Sequence, residues 1–98
     1  MQHRAALPIS PGHPAYAGHF PGQPILPGVV LLDEAVAAIT ACGLYPPQRW
    51  QVSAAKFQMM VRPGDALHVE HEPAGNGAVK FAIRRGTDLI ASGLLSPP

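Results

Sequence analysis

Hydrophobic and polar positions divide this chain into three textures. In the second half, Arg49 to Met60, Ala66 to Glu72, Ala78 to Arg85 and Leu89 to Leu95 alternate. That period of two marks half-buried strands. Turn signals at Pro63-Gly64-Asp65, Gly75-Asn76-Gly77 and Gly86-Thr87-Asp88 separate the four segments. Short turns predict an antiparallel meander. A short strand near Arg4 to Ile9 would make a fifth.

From Gly28 to Gly43 the texture changes to GVVLLDEAVAAITACG, with no proline inside. Length and alanine content predict a helix. Gly43 and Pro46-Pro47 supply the stop. This helix is apolar on nearly every side, so it is expected to be buried all round. A curved antiparallel sheet wrapped around one central helix would cover one side. A second copy of the chain could cover the other. Cys42, in the same apolar run, is expected to be a buried structural thiol.

Between Pro8 and Pro27 lie six of the 12 prolines, with Gly12, Gly18 and Gly22 among them. Regular helix and central strand are excluded there. Tyr16, Phe20, Ile25 and Leu26 make the segment too apolar for a solvated linker. A long rigid loop packed on the body is expected.

At 98 residues the chain fits one domain, residues 1–98, with a modest core for which association is a common remedy. Charged residues are 13%, about half the usual share, which leaves apolar surface for a partner. A net charge of +1 excludes the basic footprint of a nucleic-acid binder. One cysteine excludes an internal disulfide and a cysteine-based zinc cluster. No apolar run reaches membrane-spanning length, and no charged-then-apolar leader opens the chain, so a soluble, cytoplasmic protein is expected.

The helix carries two acids, Asp33 and Glu34. Neighbouring helix positions diverge by about 100°. At least one carboxylate is therefore expected to approach the buried side, where it needs a partner or a proton. The plainer alternative is that both are favoured by the helix dipole near its N-terminal turns. Upstream, His19 is the one side chain between Pro14 and the helix able to titrate near neutral pH. Imidazole is well suited to general-base work there. The backbone N–H groups of Gly28 and Val29, at the helix entry, lack intrahelical acceptors and can polarise a carbonyl oxygen.

The string GHFPGQPILPGVVLLDEA resembles the signature of the 3-hydroxyacyl-[acyl-carrier-protein] dehydratases of hot-dog fold. Lys56-Phe57, then Val61 and Pro63-Gly64-Asp65 before an apolar strand, is similar to a second block of that family. The resemblance covers roughly Pro14 to Val69. It implies an α+β hot-dog fold, with His19 and Asp33 catalytic. It implies a homodimer or higher oligomer, with histidine and acid donated by opposite subunits. The reaction implied is dehydration of a (3R)-3-hydroxyacyl thioester on the phosphopantetheine of an acyl carrier protein. No metal or organic cofactor is implied, and the setting would be fatty-acid, polyene or polyketide-type biosynthesis. Gly28 and Val29 would bind substrate through their backbone. Tyr16 and Phe20 either line an acyl tunnel or pack structurally.

Ala37 stands four positions after the acid, where bacterial fatty-acid members often have Gln, and the histidine stands only at position 19. Such a short member could serve a specialised pathway, such as polyene or polyketide assembly, rather than housekeeping fatty-acid synthesis. Both features favour a second reading, a non-catalytic hot-dog subunit supporting a partner dehydratase in a hetero-oligomer, which the retained His19 and Asp33 oppose; a third reading, an acyl thioesterase of the same fold, is opposed by the GHFPG string. Elsewhere, His68 and His71 point to opposite faces of a strand, so they are not a metal pair, and both are expected to be exposed. His3 and His13 have no partner in the sequence. Arg84, Arg85, Lys80 and Arg62 either steer an acidic carrier protein or lie on a solvated sheet edge. Trp50, Phe57 and Phe81 are expected in the core or an interface.

Overall fold

A computed structural model describes residues 2–10, 12–16 and 25–98. The elements are β1 (His3–Leu7), a 3-10 turn (Pro14–Tyr16), α1 (Gly28–Ala41), β2 (Gln51–Phe57), β3 (Leu67–Pro73), β4 (Val79–Arg85) and β5 (Asp88–Ser96). The strands form one antiparallel sheet in the order β1-β3-β4-β5-β2. No helix in the described residues is long and apolar enough to cross a membrane.

All five predicted strands and the helix are present. The predicted meander holds only for β3-β4-β5. β2 lies beside β5, not β3. Residues 58–66 are long enough to cross the sheet, and several hydrogen bonds fasten their path. Asp65 N–H donates to Arg62 O at 3.1 Å, and Leu26 N–H donates to Val61 O at 2.9 Å. The Pro63-Gly64-Asp65 signal therefore marks a crossover, not a hairpin.

Register aligns the core face. One row across the sheet reads Ala5, Val69, Ile83, Ala91, Phe57; the next reads His3, His71, Phe81, Gly93, Ala55. α1 lies over this face, against β1 and β3. Leu31, Ala35 and Ile39, four residues apart, are buried in the core with Val69, Phe81 and Ile83. Burial of each large aliphatic contributes about 1.5–3 kcal/mol before entropic costs. Gly43, at φ 75, ends the helix in the left-handed conformation that glycine adopts without steric cost.

Burial of α1 is one-sided in a single chain. Val29 is 67% exposed, and Asp33 and Ala37 also face outward. The sheet covers one stripe only. Cys42 is exposed, contrary to expectation, because it falls in the C-cap beyond the packed stripe. Its thiol donates to Ile39 O at 2.9 Å.

The two strand histidines do point to opposite faces, but both are buried. His68, 8% exposed, lies on the outer face beneath a polar layer of Arg4, Glu70 and Arg84. Arg4 only donates, so His68 Nδ1 accepts its bond at 3.2 Å and the ring proton sits on Nε2, 3.5 Å from Glu70. His71, 1% exposed, lies beneath Tyr45, whose hydroxyl is 2.7 Å from Nδ1. The His3 ring stacks tilted against it, 5.7 Å between centroids. Long neighbouring side chains cover both rings, which strand periodicity does not reveal.

Candidate active site

The N-terminal end of α1 opens onto an apolar cavity of about 380 Å³. Its walls are Ile25 to Gly28 and Leu31 on one side, and Phe57 with Met59, Met60 and Val61 on the other. Pro27 takes the N-cap position with extended backbone and offers no side-chain cap. Its carbonyl accepts from Val30 and Leu31 N–H at 3.1 and 3.2 Å. Among the described residues, the N–H groups of Gly28 and Val29 have no acceptor. The first turn thus presents two backbone donors and the positive end of the helix dipole.

The second wall is held by an ion pair. Arg85 Nη1 lies 2.9 Å from Asp65 Oδ2 and 3.5 Å from the carbonyl of Met60. Asp65 also accepts from Arg62 N–H at 2.9 Å. One carboxylate therefore ties the crossover to β4. The Val61…Asp65 string was the sequence signal for this wall, but the alternation of residues did not reveal the part of Met59 and Met60.

The two acids of α1 separate as helix geometry requires. Glu34 Oε1 lies 4.0 Å from Nε2 of His13, inside one chain. His13 Nδ1 accepts from Ala15 N–H at 3.0 Å, so its ring proton is on Nε2, toward Glu34. Asp33 is exposed on the outward side of α1. The expected approach of a carboxylate to the chain's own buried side is thus met only partly, by Glu34.

His19 and Phe20 lie outside the described residues. Tyr16 is 7% exposed within the core cluster and is not among the side chains lining the cavity. Burial, with the nearby Asp65 carboxylate, raises its phenol above the ordinary value. Of the catalytic and substrate-binding residues expected from the sequence, the structure brings Gly28 to the cavity, with Val29 adjoining and Asp33 one turn further along α1.

The basic residues separate too. Arg84 is bound to Glu70 at 2.7 Å, Arg85 to Asp65, and Lys80 stands 3.7 Å from Glu72. Arg62, exposed, makes no side-chain ion pair among the described residues. No three His, Cys, Asp or Glu side chains of the described residues converge as metal ligands.

Comparison with known proteins agrees with this geometry. The ApeI-like family, described as ApeI dehydratase, matches residues 1–94. A 3-hydroxyacyl-[acyl-carrier-protein] dehydratase FabZ of Syntrophomonas wolfei is 35% identical over 90 residues, which are 84% of this chain and 60% of that protein. The FabZ of Natranaerobius thermophilus is 34% identical over 102 residues, 90% of this chain and 70% of its own length. The chain spans about half to two-thirds of most such relatives it matches. Among solved structures, the dehydratase heterocomplex ApeI:P from Xenorhabdus doucetiae superposes with a TM-score of 0.77 at 25% identity, covering 97% of this chain and 85% of that one. The fluoroacetyl-CoA-specific thioesterase FlK shares the fold alone, with a TM-score of 0.68 at 14% identity. A sheet with one helix laid on it, an apolar cavity at that helix's N-terminal tip and a family match along nearly the whole length lead to one assignment: the chain belongs to the ApeI-like dehydratase family of hot-dog fold.

Proposed function

We propose that this chain dehydrates a (3R)-3-hydroxyacyl thioester, carried on the phosphopantetheine arm of an acyl carrier protein, to the trans-2-enoyl thioester. The observation that carries the reading is the N-terminal tip of α1 facing an apolar cavity within a dehydratase-family fold. The thioester oxygen accepts from the Gly28 and Val29 amides. Charge developing there is stabilised by donors already in place, and the α-proton becomes more acidic. His19 takes that proton as its C–H bond breaks. The electron pair forms the C2–C3 double bond. The C3–O bond breaks, and Asp33 delivers a proton to the departing hydroxyl, which leaves as water. A proton then passes from His19 to Asp33 through solvent, restoring both groups.

Asp33 serves this reaction in an assembly. Its carboxyl faces away from its own chain's core, while Glu34 stands 4.0 Å from His13 of its own chain. We assign the site to a homodimer, one protomer giving His19 and its partner Asp33. Support comes from β2, an edge strand whose seven residues are all exposed, and from Phe57, Met59, Met60 and Val29, large apolar side chains left open nearby. Pairing two such edges buries unmet backbone groups and apolar surface together. In this reading residues 1–98 form a single dehydratase domain, cytoplasmic, with no cofactor taking part.

Incubation with a 3-hydroxyacyl carrier-protein thioester, read by mass, tests the assignment. Loss of one water from the acyl group is expected. Release of the free acid would indicate a thioesterase instead, and an unchanged substrate would indicate a non-catalytic subunit.

A further inference from the structure

Asp65 and Arg85 are not among the side chains lining the cavity, yet they grip the segment that forms its second wall. The crossover closes on itself in a tight turn. Asp65 N–H donates to Arg62 O at 3.1 Å, and Arg62 N–H donates back to Asp65 Oδ2 at 2.9 Å. Proline at 63 and glycine at 64, the latter at φ 91, are the residue types such a turn favours. The same Oδ2 accepts from Arg85 Nη1 at 2.9 Å, and that nitrogen also lies 3.5 Å from Met60 O. Arg85 Nη2 stands 3.7 Å from Asp88 and 3.8 Å from Met59 Sδ. One carboxylate and one guanidinium thus join both ends of the crossover to the last residue of β4.

The crossover in turn holds the start of α1. Val61, 2% exposed, gives its carbonyl to Leu26 N–H at 2.9 Å. Leu26 precedes the N-cap Pro27, and Gly28 and Val29 follow at once. Pro27 has no N–H of its own. Among the described residues, the Leu26–Val61 bond is the one backbone hydrogen bond that ties this helix entry to another segment. The other flank of the tip meets the Phe57 ring, since a Cβ built on Gly28 would lie 2.8 Å from its Cζ. That apolar contact limits the room at the tip but aims no N–H group. Orientation comes from the polar chain Arg85, Asp65, Val61, Leu26.

We propose that Asp65 and Arg85 are positioning residues for the Gly28 and Val29 amides. Their bonds fix the crossover, the crossover fixes Leu26, and Leu26 sets the direction in which the two N–H groups point. Neither side chain touches substrate. The inference rests on the dehydratase reading for the carbonyl that those amides receive. Misplacing a preorganised group by about 1 Å costs about 10²-fold in rate, so a polar pair one segment away governs the reaction.

The infrared band of a bound carbonyl reads the two amides themselves. The probe is butanoyl-pantetheine with CH₂ in place of the thioester sulfur and an isotope label at the carbonyl; it has no hydroxyl to lose. On wild type the band is expected below its frequency in water, because preorganised donors polarise the carbonyl. In Asp65→Ala and Arg85→Gln it should return most of the way to the water value. With a 3-hydroxyacyl thioester, kcat should fall by about 10²-fold in both while KM changes little. Asp65→Asn and Arg85→Lys keep part of the linkage and should lie between. The double variant should lose little more than either single one, since both act through one bond. A merely structural role lowers the folded fraction and leaves the band of the bound probe in place. An unmoved band in the variants, or a wild-type band at the water frequency, would therefore overturn the inference even where rates fall. If Asp65→Ala does not fold, Asp65→Asn and Arg85→Lys decide by the same band. A band that moves with the variants, in a protein that removes no water from 3-hydroxyacyl thioesters, would uphold the positioning and reject the dehydratase assignment.

Discussion

Glu34 stands 4.0 Å from His13 within its own chain, while its neighbour Asp33 faces outward with no side-chain partner among the described residues. Two adjacent acids thus divide into one engaged locally and one available to another protomer.

The division predicts unequal mutants. Asp33→Asn removes the proposed proton donor and should lower the dehydration rate by about 10²–10⁴-fold. Glu34→Gln should stay within a few-fold of wild type, since Glu34 has only a partly exposed contact, 4.0 Å from the His13 ring. Steady-state rates on a 3-hydroxyacyl thioester check both. A collapse in Glu34→Gln with a retained rate in Asp33→Asn would exchange the two assignments.

Ala55 tests the assembly. It lies on the inward row of the exposed edge strand, opposite Gly93. A lysine there puts charge where two edges would meet. Ala55→Lys should be monomeric by light scattering and inactive, with its circular dichroism preserved. An intact dimer would place the interface elsewhere.

A third prediction concerns pH. Burial, followed by the nearby His3, lowers the pKa of His71 from its ordinary value. The groups facing it are the Tyr45 hydroxyl and His3, with Glu72 next along the strand. In the unfolded chain His71 takes up a proton near pH 6.5, while the folded chain still resists it. The unfolded state then binds more protons, so stability rises with pH across that window. It should be fully present above about pH 6.5 and fall toward pH 5, by no more than about 1.4 kcal/mol per pH unit for this one group. His71→Gln should flatten the slope in urea titrations. Glu70 acts in a lower window. Its hydrogen bond to Arg84 holds the carboxyl below the usual range, so its contribution is lost as pH falls beneath about 4.3.

Much of the fold was legible in the sequence because periodicity reports local burial. The alternation from Arg49 onward marked four strands, and Gly43 marked the helix end within a residue of its C-cap. Strand order was not legible. Pro63-Gly64-Asp65 read as a turn between two paired strands, yet residues 58–66 are long enough to cross, and contacts such as the Arg85–Asp65 pair and the Leu26–Val61 bond fix the crossing. Burial of His68 and His71 depends on Arg4 and Tyr45 arriving from distant segments, which no local pattern encodes. For the site, the helix tip followed from Pro27-Gly28. The ring over it did not, because the contact joins positions 28 and 57 through the whole sheet register.

Gly28→Ala tests that contact. The new methyl group would press on Cζ of Phe57, so the half-exposed ring must turn away. Gly28→Ala should cost stability, and Phe57→Ala combined with it should recover part of the loss. Thermal midpoints of the four proteins in the cycle give the coupling. Strict additivity would show that ring and helix tip do not interact.

Subunit mixing bears on the whole account. His19→Ala and Asp33→Asn chains, each inactive alone, are unfolded together and refolded as a mixture. With the two groups donated across a twofold interface, each mixed dimer holds one intact site and one doubly impaired site, and random pairing restores about a quarter of wild-type activity. No recovery in mixed dimers verified by mass would show that the imidazole and the carboxylate act within one chain.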